Sequence, residues 1–330
     1  MSGKLLLSLL GCAVVATPGL FADDYRLTGP FRHDNLSIFL IHGARKNNAK
    51  YLTLQEALEQ KKAIVYETGS VNQLAIENLS DRDIYIQSGD IVKGGKQDRV
   101  FPDDFILPTK SGKVSISSFC VEHGRWTRRG TEASDQFQVS NQTLPTKALK
   151  MAARDEHSQT QVWNEVARAQ QQFAAGMGVA APAPTQSPTS MQLTLESRPI
   201  NDVTDGYVRA LSKIVEGKPD VIGYAFAING KVNSADMYAS NDLFLRMWPK
   251  LLQASAVEAM SERRAAGALD TADASDVRIF LRNAGVGRES TRPAGARAII
   301  VRKDSDSTVM FESQDQSSTG WLHRSYVAKQ

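Results

Sequence analysis

The chain has 330 residues, of which 42% are hydrophobic and 23% are charged, and its formal net charge is +3. This composition is typical of a folded globular protein, and the small net charge provides no long-range attraction to nucleic acid or to an anionic membrane. The aromatic residues do not alternate with a basic stripe, so the sequence predicts no nucleic-acid partner.

The first 22 residues have the pattern of a secretory signal peptide. Lys4 precedes an apolar run, Leu5–Ala16, and Pro18 and Gly19 interrupt the apolar character shortly after it. The run is shorter than the ~20 apolar residues that cross a bilayer. We therefore predict that residues 1–22 are cleaved and that the protein is exported, either periplasmic or secreted. Lipid attachment at Cys12 is the alternative.

Cysteine usage predicts a protein without disulfides. Cleavage would remove Cys12 and leave 308 residues with Cys120 as their one cysteine and a formal charge of +2. A single cysteine cannot form an intramolecular disulfide, even in an oxidising compartment. The predicted mature chain must therefore be stabilised by packing, and it contains no further stretch of membrane-spanning length.

The first part of the predicted mature chain has many short strands. A capping box at Thr53 and Glu56 predicts a short helix that ends near Gln60. Short runs rich in β-branched and aromatic residues, separated by turn residues, predict strands around it. The predicted strands are Leu36–Gly43, Ala63–Thr68, Gln73–Asn78, Asp83–Gln87, Phe105–Leu107 and Val114–Val121.

The second part alternates helices with strand pairs. Apolar spacing predicts helices at Gln159–Ala174 and Val203–Val215, and the composition of Gly176–Ser190 is typical of a linker. The dipeptide Asn229-Gly230 predicts a type I′ hairpin turn.

A long helix should follow the hairpin, over Asp242–Glu262, with Ser240 or Asn241 as its cap. Pro249 predicts either a kink in this helix or a split at Trp248. Beyond it, a loop rich in Gly, Ala and Asp precedes further strands. The predicted C-terminal strands are Ala296–Arg302, Thr308–Glu312 and Trp321–Val327.

Helices that cluster apart from runs of short strands indicate an α+β fold with a mainly antiparallel β-sheet and packed helices. We predict an α+β domain over residues 23–264, with a possible subdomain linker at 176–190. Residues 265–330 are predicted to form a β-rich C-terminal extension.

Gly89–Arg99 is the densest polar stretch of the chain. Gly94 and Gly95 are flanked by the cations Lys93, Lys96 and Arg99, so backbone N–H groups and positive charges can both approach an anionic ligand. It is not a P-loop, because the Lys and Ser/Thr of that motif are absent from their required places. The alternative interpretation, which composition alone favours, is a turn or bulge between strands with solvated charges.

A second polar stretch runs from Ser117 to Trp126. If Val114–Val121 is one strand, Cys120 and Glu122 lie on one face and His123 lies on the other. Cys120 is then either a nucleophile with a lowered pKa or a small buried residue, and the second interpretation is the commoner one.

Other chemistries have little support in the sequence. The five histidines have no partner at a short metal-ligand spacing, and no Gly-x-Ser-x-Gly motif is present. The adjacent acids Asp103 and Asp104 fit either a cation site or, more simply, a solvated loop. We therefore predict no metal site, and nothing in the sequence indicates a cofactor.

Several segments together resemble the ADP-ribosylglycohydrolase-and-rhodanese-phosphatase-associated protein domain, from about Asn35 to Glu262. The most specific part is a Gly-Lys-Gln-Asp-Arg signature, followed some two dozen residues later by Cys-Val-Glu-His-Gly-Arg-Trp. The matching segments are Thr53–Ala57, Val71–Asn78, Gly89–Arg99, Cys120–Trp126, Tyr224–Lys231 and Leu243–Leu252.

The resemblance implies that the two signatures form the functional site, and it implies a phosphate- or nucleotide-bearing ligand. The expected ligand-binding residues are Gly94, Gly95, Lys96, Gln97, Asp98, Arg99, Arg125 and Trp126. We expect a binding module for a small anionic ligand. One alternative is a hydrolase-type enzyme that uses Cys120 or Glu122 as its catalytic residue, and another is a structural or interaction protein of the cell envelope, in which the signatures only support the fold.

Overall fold

The computed structural model describes residues 25–46, 49–178, 186–264, 270–318 and 320–329. The predicted signal peptide lies outside these residues. In the described part of the chain, no helix has the length and apolar character needed to cross a membrane. In chain order, the helices and strands are β1 (Tyr25–His33), β2 (Leu36–Gly43), β3 (Leu52–Thr53), α1 (Leu54–Glu59), β4 (Ala63–Ser70), β5 (Gln73–Asn78), β6 (Ile84–Ile86), β7 (Ile91–Gly94), β8 (Arg99–Val100), β9 (Phe105–Leu107), β10 (Gly112–Ser117), β11 (Phe119–Cys120), β12 (Phe137–Gln138), α2 (Lys147–Arg154), α3 (Gln159–Met177), α4 (Met191–Leu195), α5 (Arg198–Leu211), β13 (Val221–Ile228), β14 (Lys231–Tyr238), α6 (Asn241–Ser261), α7 (Ala274–Gly285), β15 (Arg288–Ala294), β16 (Ala298–Asp304), β17 (Thr308–Asp315) and β18 (Trp321–Ala328).

The largest sheet has eight strands in the order β1-β2-β13-β14-β18-β17-β16-β15, and each neighbouring pair is antiparallel. Its side chains alternate between two buried faces, so that Ile38 and Leu40 of β2 join one apolar cluster and Phe39 and Ile41 join another. The α+β fold with a mainly antiparallel sheet is therefore confirmed.

Helices cover both faces of this sheet. On one face, Trp248 and Leu251 of α6 pack in the same cluster as Tyr224 of β13. On the other face, Val277 and Leu281 of α7 are buried against the opposite sides of the strands. Burying each large apolar side chain stabilises the fold by roughly 1.5–3 kcal/mol, so these two clusters hold the helices on the sheet.

Three small sheets lie beside the main sheet, and one of them, β11-β8-β7-β12, carries both polar signatures. Their strand orders are β3-β6-β9, β10-β5-β4 and β11-β8-β7-β12, and β3 pairs with β6 in parallel. Phe119 and Val121 of the second signature pack with Val162 and Val166 of α3. Because α3 also shares an apolar cluster with α6, the signature sheet is fixed to the main body of the protein.

Two local predictions are confirmed in detail. The Thr53 hydroxyl accepts a hydrogen bond from the Glu56 amide, and the Glu56 carboxylate accepts one from the Thr53 amide, as in a capping box. At the hairpin, Asn229 and Gly230 have φ angles of 49° and 80°. Both positive values are what a type I′ turn requires.

The predicted split of the long helix at Trp248 is wrong. Helix α6 runs without interruption from its cap, Ser240, to Ser261, with Pro249 inside it. A proline in a helix interior costs about 3 kcal/mol. The eleven buried apolar side chains of α6 outweigh that cost, because they lie on both sides of the proline.

The predicted single strand Val114–Val121 is interrupted. β10 ends at Ser117 and pairs with β5, whereas β11 begins at Phe119 and pairs with β8 in a different sheet. At the junction, the buried Ser118 donates its amide hydrogen to the Asn72 carbonyl. This bond extends the β10–β5 pairing by one residue, and the chain passes from one sheet to the other directly after it.

The region beyond residue 264 contains more structure than the sequence predicts. The expected loop before Ala296 forms a helix, α7, and an edge strand, β15. The last strand, β18, pairs with β14 over Ser234–Tyr238, so this region is part of the eight-stranded sheet. The predicted linker also begins inside a helix, because α3 extends to Met177; residues 179–185 lie outside the described residues.

Candidate functional site

The two sequence signatures meet at neighbouring strands. β8 follows the first signature and β11 opens the second, and the two strands pair so that Arg99 lies opposite Cys120. The first signature leaves β7 through Gly94 and Gly95, whose φ angles of 112° and 54° favour glycine. A Cβ on Gly95 would also lie 2.4 Å from the Phe137 ring, so this turn leaves no room for a side chain.

Glu122 binds Arg125 through two hydrogen bonds. Its two carboxylate oxygens accept from Nε and Nη2 of Arg125 at 2.7 and 2.6 Å, and one of them also accepts from the Asp98 amide. Burial alone would raise the pKa of Glu122, but bonds from Arg125, Ser187 and the Asp98 amide outweigh it and hold the pKa below its ordinary value. Glu122 is therefore a fixed carboxylate.

Asp98 makes a second bidentate pair, with Arg129. The two oxygens of Asp98 accept from the terminal nitrogens of Arg129 at 2.8 and 2.9 Å. They also accept from the Gly94 amide and from the hydroxyl of Ser190, the cap of α4. Asp98 and Arg129 are both buried. We call Asp98, Glu122, Arg125 and Arg129 the signature network.

The remaining donors of Arg125 are also satisfied within the protein. Its terminal nitrogens donate to the carbonyl oxygens of Gly94, Gly95 and Thr127 at 3.2, 3.0 and 2.6 Å. Gln97 completes the connection, because its side-chain amide donates to the Glu122 carbonyl at 2.9 Å. The signature network thus connects the glycine turn of the first signature to the second signature.

Arg99 lies beneath this surface. It is fully buried, and its guanidinium donates to the Gln97 carbonyl at 3.1 Å and lies 3.6 Å from the carboxylate of Glu67. The Trp126 ring covers it, with the guanidinium carbon 5.6 Å from the ring centroid. Arg99 is therefore a buried part of the site, with no surface for direct contact with a ligand.

Cys120 has the properties of a buried packing residue. Its thiol is fully buried and donates to the Val71 carbonyl at 3.6 Å, and burial raises its pKa to about 11. His123 does not activate it, because the His123 ring is exposed and contacts Trp163 at 4.6 Å between centroids. A thiol nucleophile needs a lowered pKa and a neighbouring base, and the surroundings of Cys120 provide neither.

Lys96 and Trp126 form the accessible part of the two signatures. The Lys96 ammonium lies 5.1 Å from the centroid of the Trp126 ring, and Trp126 is 40% exposed. The residues on either side of Trp126, Arg125 and Thr127, line an open concavity of about 510 Å³ together with Arg128 and Thr189. We call Lys96 and Trp126, together with this concavity, the Lys96–Trp126 surface.

The charges around this surface sum to a small positive excess. Five cations lie in or beside the signatures, against four carboxylates, which leaves one uncompensated positive charge. The cations are Lys96, Arg99, Arg125, Arg128 and Arg129, and the carboxylates are Glu67, Asp98, Glu122 and Glu132. Among the described residues, Lys96 and Arg128 make no ion pair, so the excess charge lies at the accessible side.

The structure thus brings all ten residues expected from the sequence into one cluster. Three of them are partly or fully exposed, and seven are buried. Only Lys96, Arg125 and Trp126 reach the surface to any extent. The other seven are buried and serve as turn, network or packing residues: Gly94, Gly95, Gln97, Asp98, Arg99, Cys120 and Glu122.

Sequence reasoning missed Arg129, Glu67 and Ser190, which complete the buried pairs. Arg129 lies four residues after Arg125 in the sequence. This pair of arginines is the one local signal that could have indicated Arg129. Glu67 and Ser190 come from distant segments, so no local pattern connects them to the signatures.

A second buried polar cluster lies beyond the signatures and was also missed. The imidazole of His323 lies between two carboxylates, with Nδ1 2.7 Å from Asp104 and Nε2 3.1 Å from Asp236. Burial lowers the pKa of His323, but the two carboxylates outweigh it, so the pKa is raised. The prediction that Asp103 and Asp104 form a solvated pair is wrong, because Asp104 is buried here and Asp103 binds Arg292.

Among the described residues, no group of three or more His, Cys, Asp or Glu side chains is arranged to hold a metal ion. The carboxylates of both clusters are instead bound by Arg and His side chains. Tyr85 and Tyr238 border the second cluster, and burial raises the pKa of both phenols well above the ordinary value.

The chain was compared with known proteins at the level of families, curated proteins and solved structures. No curated protein and no solved structure matches it. The family model of the ARG and Rhodanese-Phosphatase-superfamily-associated Protein domain matches residues 24–327. The match continues through β15–β18, beyond the end at Glu262 that the motifs alone indicate. Because it covers both signatures and almost the whole described chain, the protein belongs to the ARG and Rhodanese-Phosphatase-superfamily-associated Protein domain family.

Proposed function

We propose that the protein is an exported binding module for a small anionic ligand that carries a phosphate group, bound at the Lys96–Trp126 surface. The observation that carries the proposal is the contact between the partly exposed ammonium of Lys96 and the exposed Trp126 ring, in a region with an excess positive charge whose residues Arg125 and Arg128 line a concavity. An ammonium and an indole face suit a phosphate attached to a planar ring. The family name associates the domain with ARG and rhodanese-phosphatase proteins, and we take the phosphate-bearing class of ligand from that association.

In this proposal the signature network positions the surface and performs no chemistry. Arg125 and Arg129 neutralise Glu122 and Asp98, and each pair is bidentate. The network fixes the glycine turn, and the turn places Lys96 beside Trp126. Preorganisation of this kind reduces the entropy cost of binding.

Isothermal calorimetry with ADP-ribose, nucleotides and sugar phosphates tests the proposal. We expect one of these ligands to bind, with an affinity about tenfold weaker in Lys96→Ala, because a charge-assisted contact contributes about 1.5 kcal/mol or more. Lys113→Ala is the matched control, since Lys113 also packs over an aromatic ring, 4.0 Å from the Tyr66 centroid, but belongs to neither signature.

Unchanged affinity in Lys96→Ala and Trp126→Ala would contradict the proposal. Absence of binding to every ligand would favour the second candidate, a structural or interaction protein of the envelope. The buried network is the observation that favours that candidate. The structural candidate predicts that Arg125→Ala and Glu122→Ala lose the circular dichroism signal of the folded protein.

Export is tested by the mass of the protein purified from cells that make the full chain. We expect a mass that corresponds to a chain beginning at residue 23, because the apolar run of residues 5–16 directs secretion. A lipid-modified mass beginning at Cys12 would favour anchoring instead. An intact N-terminus on protein confined to the cytoplasmic fraction would contradict export.

A further inference from the structure

A small enclosed cavity lies between α2, α6 and the eight-stranded sheet, away from the signatures. Its volume is about 20 Å³. A cavity of about 10–15 Å³ holds one water-sized particle, so this one accepts a monatomic ion but excludes a phosphate. The residues that line it and matter for its charge are Lys150, Arg154, Asp236, His323 and Ser325.

Arg154 faces this cavity with unused donors. Its side chain is 6% exposed, and its Nε and Nη2 nitrogens have no hydrogen-bond partner among the described residues. The nearest carboxylate is Asp104, 3.6 Å from Nη2, and the Asp104 oxygen concerned is also 2.7 Å from His323. A buried guanidinium is costly unless its donors are satisfied, so an acceptor beside these nitrogens would stabilise the fold.

The charges around the cavity favour an anion. Both ring nitrogens of His323 face a carboxylate, and both can donate only if the ring is protonated. His323, Arg154 and Lys150 then bring three positive charges, against two negative charges from Asp104 and Asp236. The remaining carboxyl group near Lys150 is that of Glu258, which is fully buried, and burial favours its neutral form.

Arg154 also borders a second, open pocket. The same arginine and Phe311 line a cleft of about 370 Å³ that contains Asp155, Arg292 and Arg302, and both of these other arginines are paired with carboxylates. The guanidinium of Arg154 packs on the Phe311 ring, 4.4 Å from its centroid. Arg154 and Phe311 therefore lie between the open cleft and the small cavity, because both residues line both.

We propose that this cavity is a binding site for a halide-sized anion, held by Arg154 and Lys150 beside the protonated His323. The site is independent of the proposed phosphate ligand, which binds elsewhere and does not fit this volume. Its role is to compensate the excess positive charge between the sheet and α2.

Bromide is the probe that tests the site in crystals of the full mature chain. We expect crystals grown in sodium bromide to give an anomalous scattering peak inside the cavity, next to the Arg154 guanidinium. Electron density in the cavity with no anomalous signal would identify a water and overturn the proposal. Bromide peaks at surface arginines alone would overturn it as well.

Thermal unfolding tests it in solution. At constant ionic strength, we expect a higher Tm in potassium chloride than in potassium gluconate, since an ion that binds only the folded state raises Tm. Arg154→Gln should lose this difference. The control Arg292→Gln, in the cleft but outside the cavity, should keep it. If Arg154→Gln does not fold, Lys150→Met takes its place. If the difference in Tm between chloride and gluconate is the same in the cavity variant as in Arg292→Gln, the proposal is overturned.

Discussion

Arg125 shows what the signature residues do at the scale of single side chains. Each of its three nitrogens donates to an acceptor within the protein, either to Glu122 or to carbonyls of the glycine turn and Thr127. A guanidinium with these partners has little capacity left for a ligand. We infer that Lys96, whose ammonium makes no ion pair among the described residues, is the cation that contacts the ligand.

Replacing Glu122 by Gln should destabilise the protein strongly. The variant leaves Arg125 and Arg129 buried with one compensating charge fewer, and breaking a buried pair in this way costs about 3–5 kcal/mol. Urea unfolding measures the change. Glu132→Gln is the control: Glu132 also pairs with Arg129 but is partly exposed, so we expect a loss of about 1 kcal/mol or less. Equal losses of unfolding free energy in the two variants would show that burial does not make the ion pairs of Glu122 more stabilising than the pair of Glu132.

The Cys120 thiol should react slowly with alkylating reagents. With a pKa of about 11, roughly 0.1% of it is thiolate at pH 8, and the group is also buried. We expect labelling by iodoacetamide to be on the order of 100-fold slower in the folded protein than in urea. Fast labelling of folded protein would restore Cys120 as a candidate nucleophile.

At the scale of helices and strands, the sequence predicts best where a structure is determined locally. The Thr53 capping box and the hairpin turn at Asn229-Gly230 depend on residues within four positions, and both are confirmed. The failures have distant causes: the break in the strand at Ser118 accompanies the pairing of β11 with β8, and the continuity of α6 through Pro249 depends on burial against the sheet.

The glycine turn that supports Lys96 can be tested by a pair of alanine variants. Gly95→Ala adds a Cβ at 2.4 Å from the Phe137 ring, at a φ of 54°, and should cost about 3 kcal/mol of stability. Gly112→Ala adds one at a similar φ of 62° with open space around it, and should cost about 1 kcal/mol. Chemical denaturation compares them. Equal costs would mean that the Phe137 contact does not constrain the turn.

At the scale of the whole molecule, the second polar cluster depends on contacts that no sequence motif reveals. His323 lies 219 positions from Asp104 and 87 from Asp236 in the chain. The sheet brings them together because β18 pairs with β14 and packs near the loop that follows β8. The signatures, in contrast, were predictable as a site, although their burial and the role of Arg129 were not.

The two buried polar clusters predict how stability depends on pH. The pKa values of Asp236 and Glu122 are lowered by folding, so their stabilisation is present above about pH 4 and is lost as the pH falls through their folded values. The pKa of His323 is raised, so its stabilisation is present below about pH 6.5 and is lost as the pH rises through the folded value.

We therefore expect the free energy of unfolding to be highest between about pH 4.5 and 6.5. Urea titrations at several pH values measure it. In His323→Gln, the decline on the alkaline side should become smaller, whereas the decline on the acid side should remain. An alkaline decline of unchanged size in His323→Gln would mean that this imidazole is not protonated in the folded protein.

The proposed ligand surface is tested most directly by NMR with ¹⁵N-labelled tryptophan side chains, during titration with ADP-ribose, nucleotides and sugar phosphates. Trp126 is exposed beside Lys96, whereas Trp248 and Trp321 are buried elsewhere. We expect one ligand to shift the Trp126 indole resonance in a saturable way, to leave those of Trp248 and Trp321 in place, and to lose this effect in Lys96→Ala. A Trp126 resonance that stays unchanged at saturating concentrations of all of these ligands would contradict binding at this surface.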